Sequence, residues 1–129
     1  MTVAVALSDS PRGQAALRVA AEEAVLRGQD LAVIQIIPGV DEVLVNDPAI
    51  EERVAEQLAG VAGLTWKLYT APEEYDTAEA LLDQAEEVDA KLLVMGSRHR
   101  TRIGKLLLGS TVQRVLLEST IPVLVVKAN

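Results

Sequence analysis

Four of the chain's twelve basic residues, Arg98, Arg100, Arg102 and Lys105, fall in one stretch between Gly96 and Ser110 that holds no acidic residue. Guanidinium forks present paired N–H donors and suit phosphate oxygens. Just beyond them Val112, Val115, Leu116 and Ser119 recur at i, i+3, i+4, i+7, so a helix is expected after Gly109, with Ser110 or Thr111 as its N-cap. A helix N-terminus offers free amide hydrogens and the positive end of a dipole. A cationic loop feeding such an end is suited to binding phosphate. The plainer alternative is a solvated basic loop that offsets an acidic protein, and charge alone leaves both open.

Other chemistries fit less well. Gly104-Lys105 invites comparison with a P-loop, but Leu106 stands where Ser or Thr is required and residue 99 is His99, not glycine. No G-x-G-x-x-G follows an expected strand. The sequence has no cysteine and a single histidine, which removes disulfides, thiol catalysis and a His/Cys metal cluster. A Ser-His-Asp site would hang on that one histidine within the basic loop, so no catalytic residue is assigned. Trp66, Tyr69 and Tyr75 are too scattered for a base-stacking platform. A net charge of −7 argues against general binding to nucleic acid or an anionic membrane.

The elements that must position the loop follow from the hydrophobic pattern. One domain over residues 1–129 is expected, since the chain has half its residues apolar and enough length to bury a core. No apolar run approaches the roughly twenty residues of a membrane-spanning helix. The N-terminus reads as a strand and not as a signal peptide, so a cytoplasmic location is expected. Val3–Leu7 is a first short strand, and Ser10-Pro11 is a helix start. Ala16, Leu17, Ala20, Ala21 and Ala24 give the first helix a narrow apolar stripe ending at Gly28.

Leu31–Ile37 is the second strand, and Asn46 or Asp47 before Pro48 starts a second helix that ends by Gly60. Leu64, Trp66 and Leu68 alternate with polar neighbours, which predicts an edge strand; the segment after Pro72 is expected to be irregular up to Asp76. Asp76 and Glu79 form a capping box for a third helix, whose buried stripe is Leu81, Leu82, Ala85 and Val88. Lys91–Met95 and Val123–Lys127 complete the strands. Repeated strand-helix alternation predicts an α/β fold: an open, doubly wound parallel sheet covered by helices on both faces.

Gly96, two residues, His99, nine residues and Gly109-Ser110 together resemble the nucleotide motif of the universal stress protein family, G-x2-G-x9-G-[ST]. Leu93-Val94-Met95, Leu106-Leu107-Leu108 and the ending Ile121-Pro122-Val123-Leu124-Val125-Val126 resemble that family too, as does the opening Val3–Leu26. The resemblance implies a Rossmann-like sheet of five strands in the order 3-2-1-4-5, with ATP or a related adenine nucleotide bound where strands 1 and 4 diverge. It places Met95, Gly96, Gly109, Ser110 and Thr111 around the nucleoside and phosphates, Ile36 against the base, and Arg98 and Lys105 near distal phosphates. Magnesium would arrive only with those phosphates.

Two positions depart from the family pattern. Ser8 stands where the family has an acidic residue that contacts the nucleoside, with Asp9 one place later. His99 stands at the middle glycine, where a left-handed backbone would cost a histidine on the order of 1–2 kcal/mol. Its side chain can instead serve phosphate directly. Two functions therefore follow: a nucleotide-binding sensor or regulator of stress response with at most slow ATP hydrolysis, or a nucleotide-free dimeric interaction protein whose site has decayed. The resemblance also implies a homodimer through the C-terminal strand Val123–Lys127.

Overall fold

Short valine- and alanine-rich runs make the centre of the sheet. In the computed structural model, which describes residues 1–8, 11–38, 45–73, 76–97 and 108–127, these runs are β1 (Thr2–Ala6), β2 (Asp30–Pro38) and β4 (Ala90–Gly96). β3 (Trp66–Glu73) and β5 (Val123–Val126) form the edges, giving a parallel five-stranded sheet in the order β3-β2-β1-β4-β5. Register pairs Val5 with Val33 on one side and with Val94 on the other. Val3, Ala4, Val5, Val33, Leu93 and Val94 are fully buried, as strands covered on both faces require.

The helices divide between the two faces. α1 (Pro11–Arg27) and α2 (Pro48–Leu58) cover one, and α3 (Thr77–Glu87) and α4 (Ser110–Glu118) cover the other. Ala16, Ala20, Ala21 and Ala24 of α1 are wholly buried against Val3, Val5 and Val94, so methyl-sized side chains let this helix lie close to the strands. On the opposite face Ala4, Ile34 and Leu93 meet Ala78, Leu81 and Ala85 of α3 and Val112 and Val115 of α4.

The local signals behind these elements are mostly as expected. Gly28 ends α1 at a φ of +64°, a left-handed value that glycine adopts freely. Asp47 caps α2 by accepting from the Ala49 N–H at 2.9 Å. Asn46 fastens the segment before α2 to the edge strand, donating to the Leu68 carbonyl and accepting from Thr70 Oγ1, each at 2.8 Å.

Most strand bounds shift by a residue or two from the sequence reading, and other details differ as well. β3 continues through Pro72 to Glu73, because an edge strand tolerates a proline whose missing N–H is turned from the ladder. β5 stops at Val126, one residue before Lys127. The N-cap of α4 is Gly109, not Ser110 or Thr111, and no side chain caps the first turn. Leu116 is 43 % exposed, so the buried stripe of α4 is narrower than its periodicity suggested.

Asp76 joins the two helices of the second face. Its carboxylate accepts from the Glu79 N–H at 2.9 Å and from Arg114 Nη1 of α4 at 2.7 Å. The Glu79 N–H holds its pKa below the ordinary 3.8; desolvation opposes this, and the Arg114 charge and hydrogen bond add to the lowering. A depressed folded value means that the stabilisation is complete above the unfolded pKa and is lost as the pH falls through the folded one. Asp76→Asn keeps a capping oxygen without the charge. Its Tm deficit relative to wild type should be largest at neutral pH and should shrink as the pH falls below about 3.8, which thermal unfolding across that range would check.

Candidate functional site

Because β1 leads through α1 to β2 on one side, and α3 returns the chain to β4 on the other, the carboxyl ends of β1 and β4 lie side by side with their connections diverging. An open α/β sheet leaves a crevice at that point. Here it is a cleft of about 480 Å³ lined by Ala6 and Ser8 after β1, Gly13 of α1, Met95, Gly96 and Ser97 at the end of β4, and the Gly109–Val112 start of α4. The site residues Ser8, Met95, Gly96, Gly109, Ser110 and Thr111 are thus brought together although more than eighty residues separate the first from the others. Ile36 is half-buried near the carboxyl end of β2 and packs on the core beside β1, outside the cleft lining. Asp9, Arg98, His99 and Lys105 lie outside the described residues.

Each wall has a local cause. Gly96 sits in the β4–β5 ladder opposite Val126, and the next N–H, that of Ser97, donates to the Val126 carbonyl at 2.9 Å. This prolongs the ladder one residue into the cleft. On the facing wall Gln113 folds back, its Nε2 donating to the Leu108 carbonyl at 2.9 Å and its N–H to the Gly109 carbonyl at 3.0 Å. These bonds fix the entry of α4. With no side-chain cap, the first-turn amides are left for solvent or a ligand.

Gly13 and Ser97 of the cleft were not singled out in the sequence. Gly13 lies against Ser8 so closely that a Cβ would sit 2.3 Å from the Ser8 carbonyl oxygen and 2.8 Å from its carbonyl carbon. Glycine inside a helix is unfavourable by roughly 1 kcal/mol relative to alanine, so its presence in the first turn was a legible hint of close packing. Ser97 carries no such hint, since its burial emerges only from the fold; it is 3 % exposed.

The cleft is not the largest cavity. A groove of about 580 Å³ runs between α3 and α4, but Glu79, Asp83, Glu86, Asp89 and Glu118 line it, and its cations Lys91 and Arg114 are already paired with Asp89, Asp76 and Glu118. An anion would be repelled there. The described lining of the β1–β4 cleft has no charged side chain and faces a helix N-terminus, so that cleft is the better anion site despite its smaller volume. Among the described residues no cluster of His, Cys, Asp or Glu could hold a metal ion, and no helix is long and apolar enough to cross a membrane.

A sequence model of the universal stress protein family matches residues 1–127. A universal stress protein of Mycolicibacterium smegmatis is 38 % identical over 130 residues, covering 98 % of both chains. One from Thermus aquaticus is 33 % identical over 135 residues, again covering 98 % of each. Among solved structures, the universal stress protein of Archaeoglobus fulgidus in complex with dAMP superposes with a TM-score of 0.73 at 28 % identity, covering 97 % of this chain and 96 % of that one. A universal stress protein in complex with cAMP gives a TM-score of 0.74 at 25 % identity, covering 100 % and 98 %.

Gly13→Ala should destabilise the protein by about 1–3 kcal/mol, the usual range for forcing an extra methyl into a packed site. Urea unfolding would measure it. Since alanine is the better helix former, a variant as stable as wild type would contradict the close approach of α1 to Ser8.

Proposed function

For this chain, which belongs to the universal stress protein family, we propose the binding of ATP or a related adenine nucleotide in the cleft between β1 and β4. The observation that carries this reading is the uncapped start of α4, Gly109-Ser110-Thr111, bordering a cleft at the sheet's switch point whose other walls are Gly96, Ser97 and Ser8. The dAMP and cAMP complexes of the similar proteins support an adenine nucleotide as the ligand class.

In this reading the phosphates sit at the α4 N-terminus, where first-turn amides and hydroxyls donate to their oxygens. The sugar lies over Met95 and Gly96, beside Ser8 and Asp9, and the base reaches towards Ile36. Arg98 and Lys105 engage the distal phosphates, and His99 adds a side-chain contact in place of the backbone approach that a glycine would permit. Any magnesium ion rides on the phosphates. The role in this reading is nucleotide sensing in a cytoplasmic stress response, with at most slow hydrolysis.

Replacing Arg98 and Lys105 together with Ala should weaken ATP by about tenfold or more and AMP much less, because the lost charge-assisted bonds go to distal phosphates. Titration calorimetry with both nucleotides gives the comparison. Equal losses would remove these residues from the phosphate tail.

A homodimer through β5 accompanies this proposal. On that edge strand Val123 and Val125 turn into the α3–α4 face of the core, while Leu124 is 36 % exposed and Lys127 follows as the first charge. An apolar edge left unpaired invites association, and a twofold contact would bring the strand against its own copy. Leu124→Lys places two new charges in that contact and should shift the protein towards monomer. Sedimentation showing an unaltered dimer for the variant, or a monomeric wild type at tens of micromolar, would remove β5 from the interface.

A further inference from the structure

A strand at a sheet edge presents a row of backbone groups with which another strand can pair. On β3 that outward row is set by parity. The Thr65 carbonyl accepts from the Leu31 N–H of β2 at 2.9 Å, so Thr65, Lys67, Tyr69 and Ala71 turn their peptide groups towards β2. The alternate residues Trp66, Leu68, Thr70 and Pro72 turn theirs outward. Trp66, Tyr69 and Thr70 are residue types favoured in strands, so the edge is well suited to receive a partner.

The protein itself closes part of this row. Pro72 brings no N–H. At Leu68 the outward carbonyl accepts from Asn46 Nδ2 at 2.8 Å, while Asn46 Oδ1 accepts from Thr70 Oγ1 at 2.8 Å. Both ends of the amide are engaged, and a flipped amide would set its oxygen against the Leu68 carbonyl. The Asn46 N–H therefore stands where the N–H of an added strand would stand. The start of α2 has a cap of its own, since Asp47 accepts from the Ala49 N–H. Asn46 is not needed for that purpose and is spent on the sheet edge instead.

From these contacts we infer that Asn46 is an autoinhibitory clasp on β3: its amide occupies the Leu68 carbonyl and keeps a second copy of the chain from adding its own β3 alongside. The clasp is independent of any nucleotide and lies on the sheet edge opposite β5.

Sedimentation at tens of micromolar, with circular dichroism to verify folding, tests it. Asn46→Ala uncovers the Leu68 carbonyl and should give a species of about twice the wild-type mass, by twofold pairing of β3 with its own copy. Thr70→Val removes one bond of the clasp but leaves Asn46 on the carbonyl. It should unfold at a lower temperature than wild type and keep the wild-type mass. Adding Thr70→Pro to Asn46→Ala deletes an outward N–H without touching the β2–β3 ladder, and should restore the wild-type mass.

If alanine prevents folding, Asn46→Ser, whose side chain is too short to bridge to β3, is read in its place. A folded Asn46→Ala or Asn46→Ser of wild-type mass would overturn the inference. So would association of Thr70→Val to the same extent, which would make a loosened α2 the cause. Association that survives Thr70→Pro would locate the contact away from the β3 edge and overturn it equally.

Discussion

The pairing of β1 with β4 is the constraint on which the rest depends. It places two strands distant in sequence side by side, with Val5 opposite Val94, and sends their following segments to opposite faces of the sheet. Everything that lines the cleft is positioned from those two strand ends. The pairing in turn requires α1 to lie flat across both strands, which its fully buried alanines permit. At the first turn even a methyl group is too much, so Gly13 accepts the Ser8 backbone where alanine would collide with it. Small residues on one helix thus set how close the two walls of the site approach.

Electrostatics then separates the candidate sites. The protein is acidic overall, and the larger groove between α3 and α4 carries much of that charge on its rim. Its arginine and lysine are occupied by neighbouring carboxylates, the Arg114–Asp76 pair fastening α4 to the start of α3, which leaves little for an anion. The β1–β4 cleft is smaller and its described lining is uncharged, but the α4 N-terminus supplies oriented donors there. Volume alone would favour the other cavity. The orientation of backbone dipoles is what distinguishes them.

The strand-helix alternation, most element boundaries and the edge position of β3 were legible in the sequence, because valine and alanine runs and the caps at Asp47 and Asp76 carry local signals. The strand order and the cleft's place were legible only through resemblance to a family, since no local pattern says which strands become neighbours. Three features were hidden for physical reasons. The continuation of β3 through Pro72 depends on its lying at an edge, and the capping of α4 by Gly109 depends on how Gln113 holds the turn. The burial of Ser97 depends on β5, which lies some twenty-five residues further on and supplies the Val126 carbonyl.

The central claim is that an adenine nucleotide occupies the cleft between the ends of β1 and β4. Its most direct test is a titration of isotopically labelled protein with AMP, followed through the backbone amide resonances. The account predicts saturable shifts concentrated at Ser8, Gly13, Gly96, Ser97 and Gly109–Val112, with the residues of the α3–α4 groove unmoved. Shifts centred on Glu86, Asp89 and Glu118 instead, or no saturable shift at millimolar AMP, would contradict it.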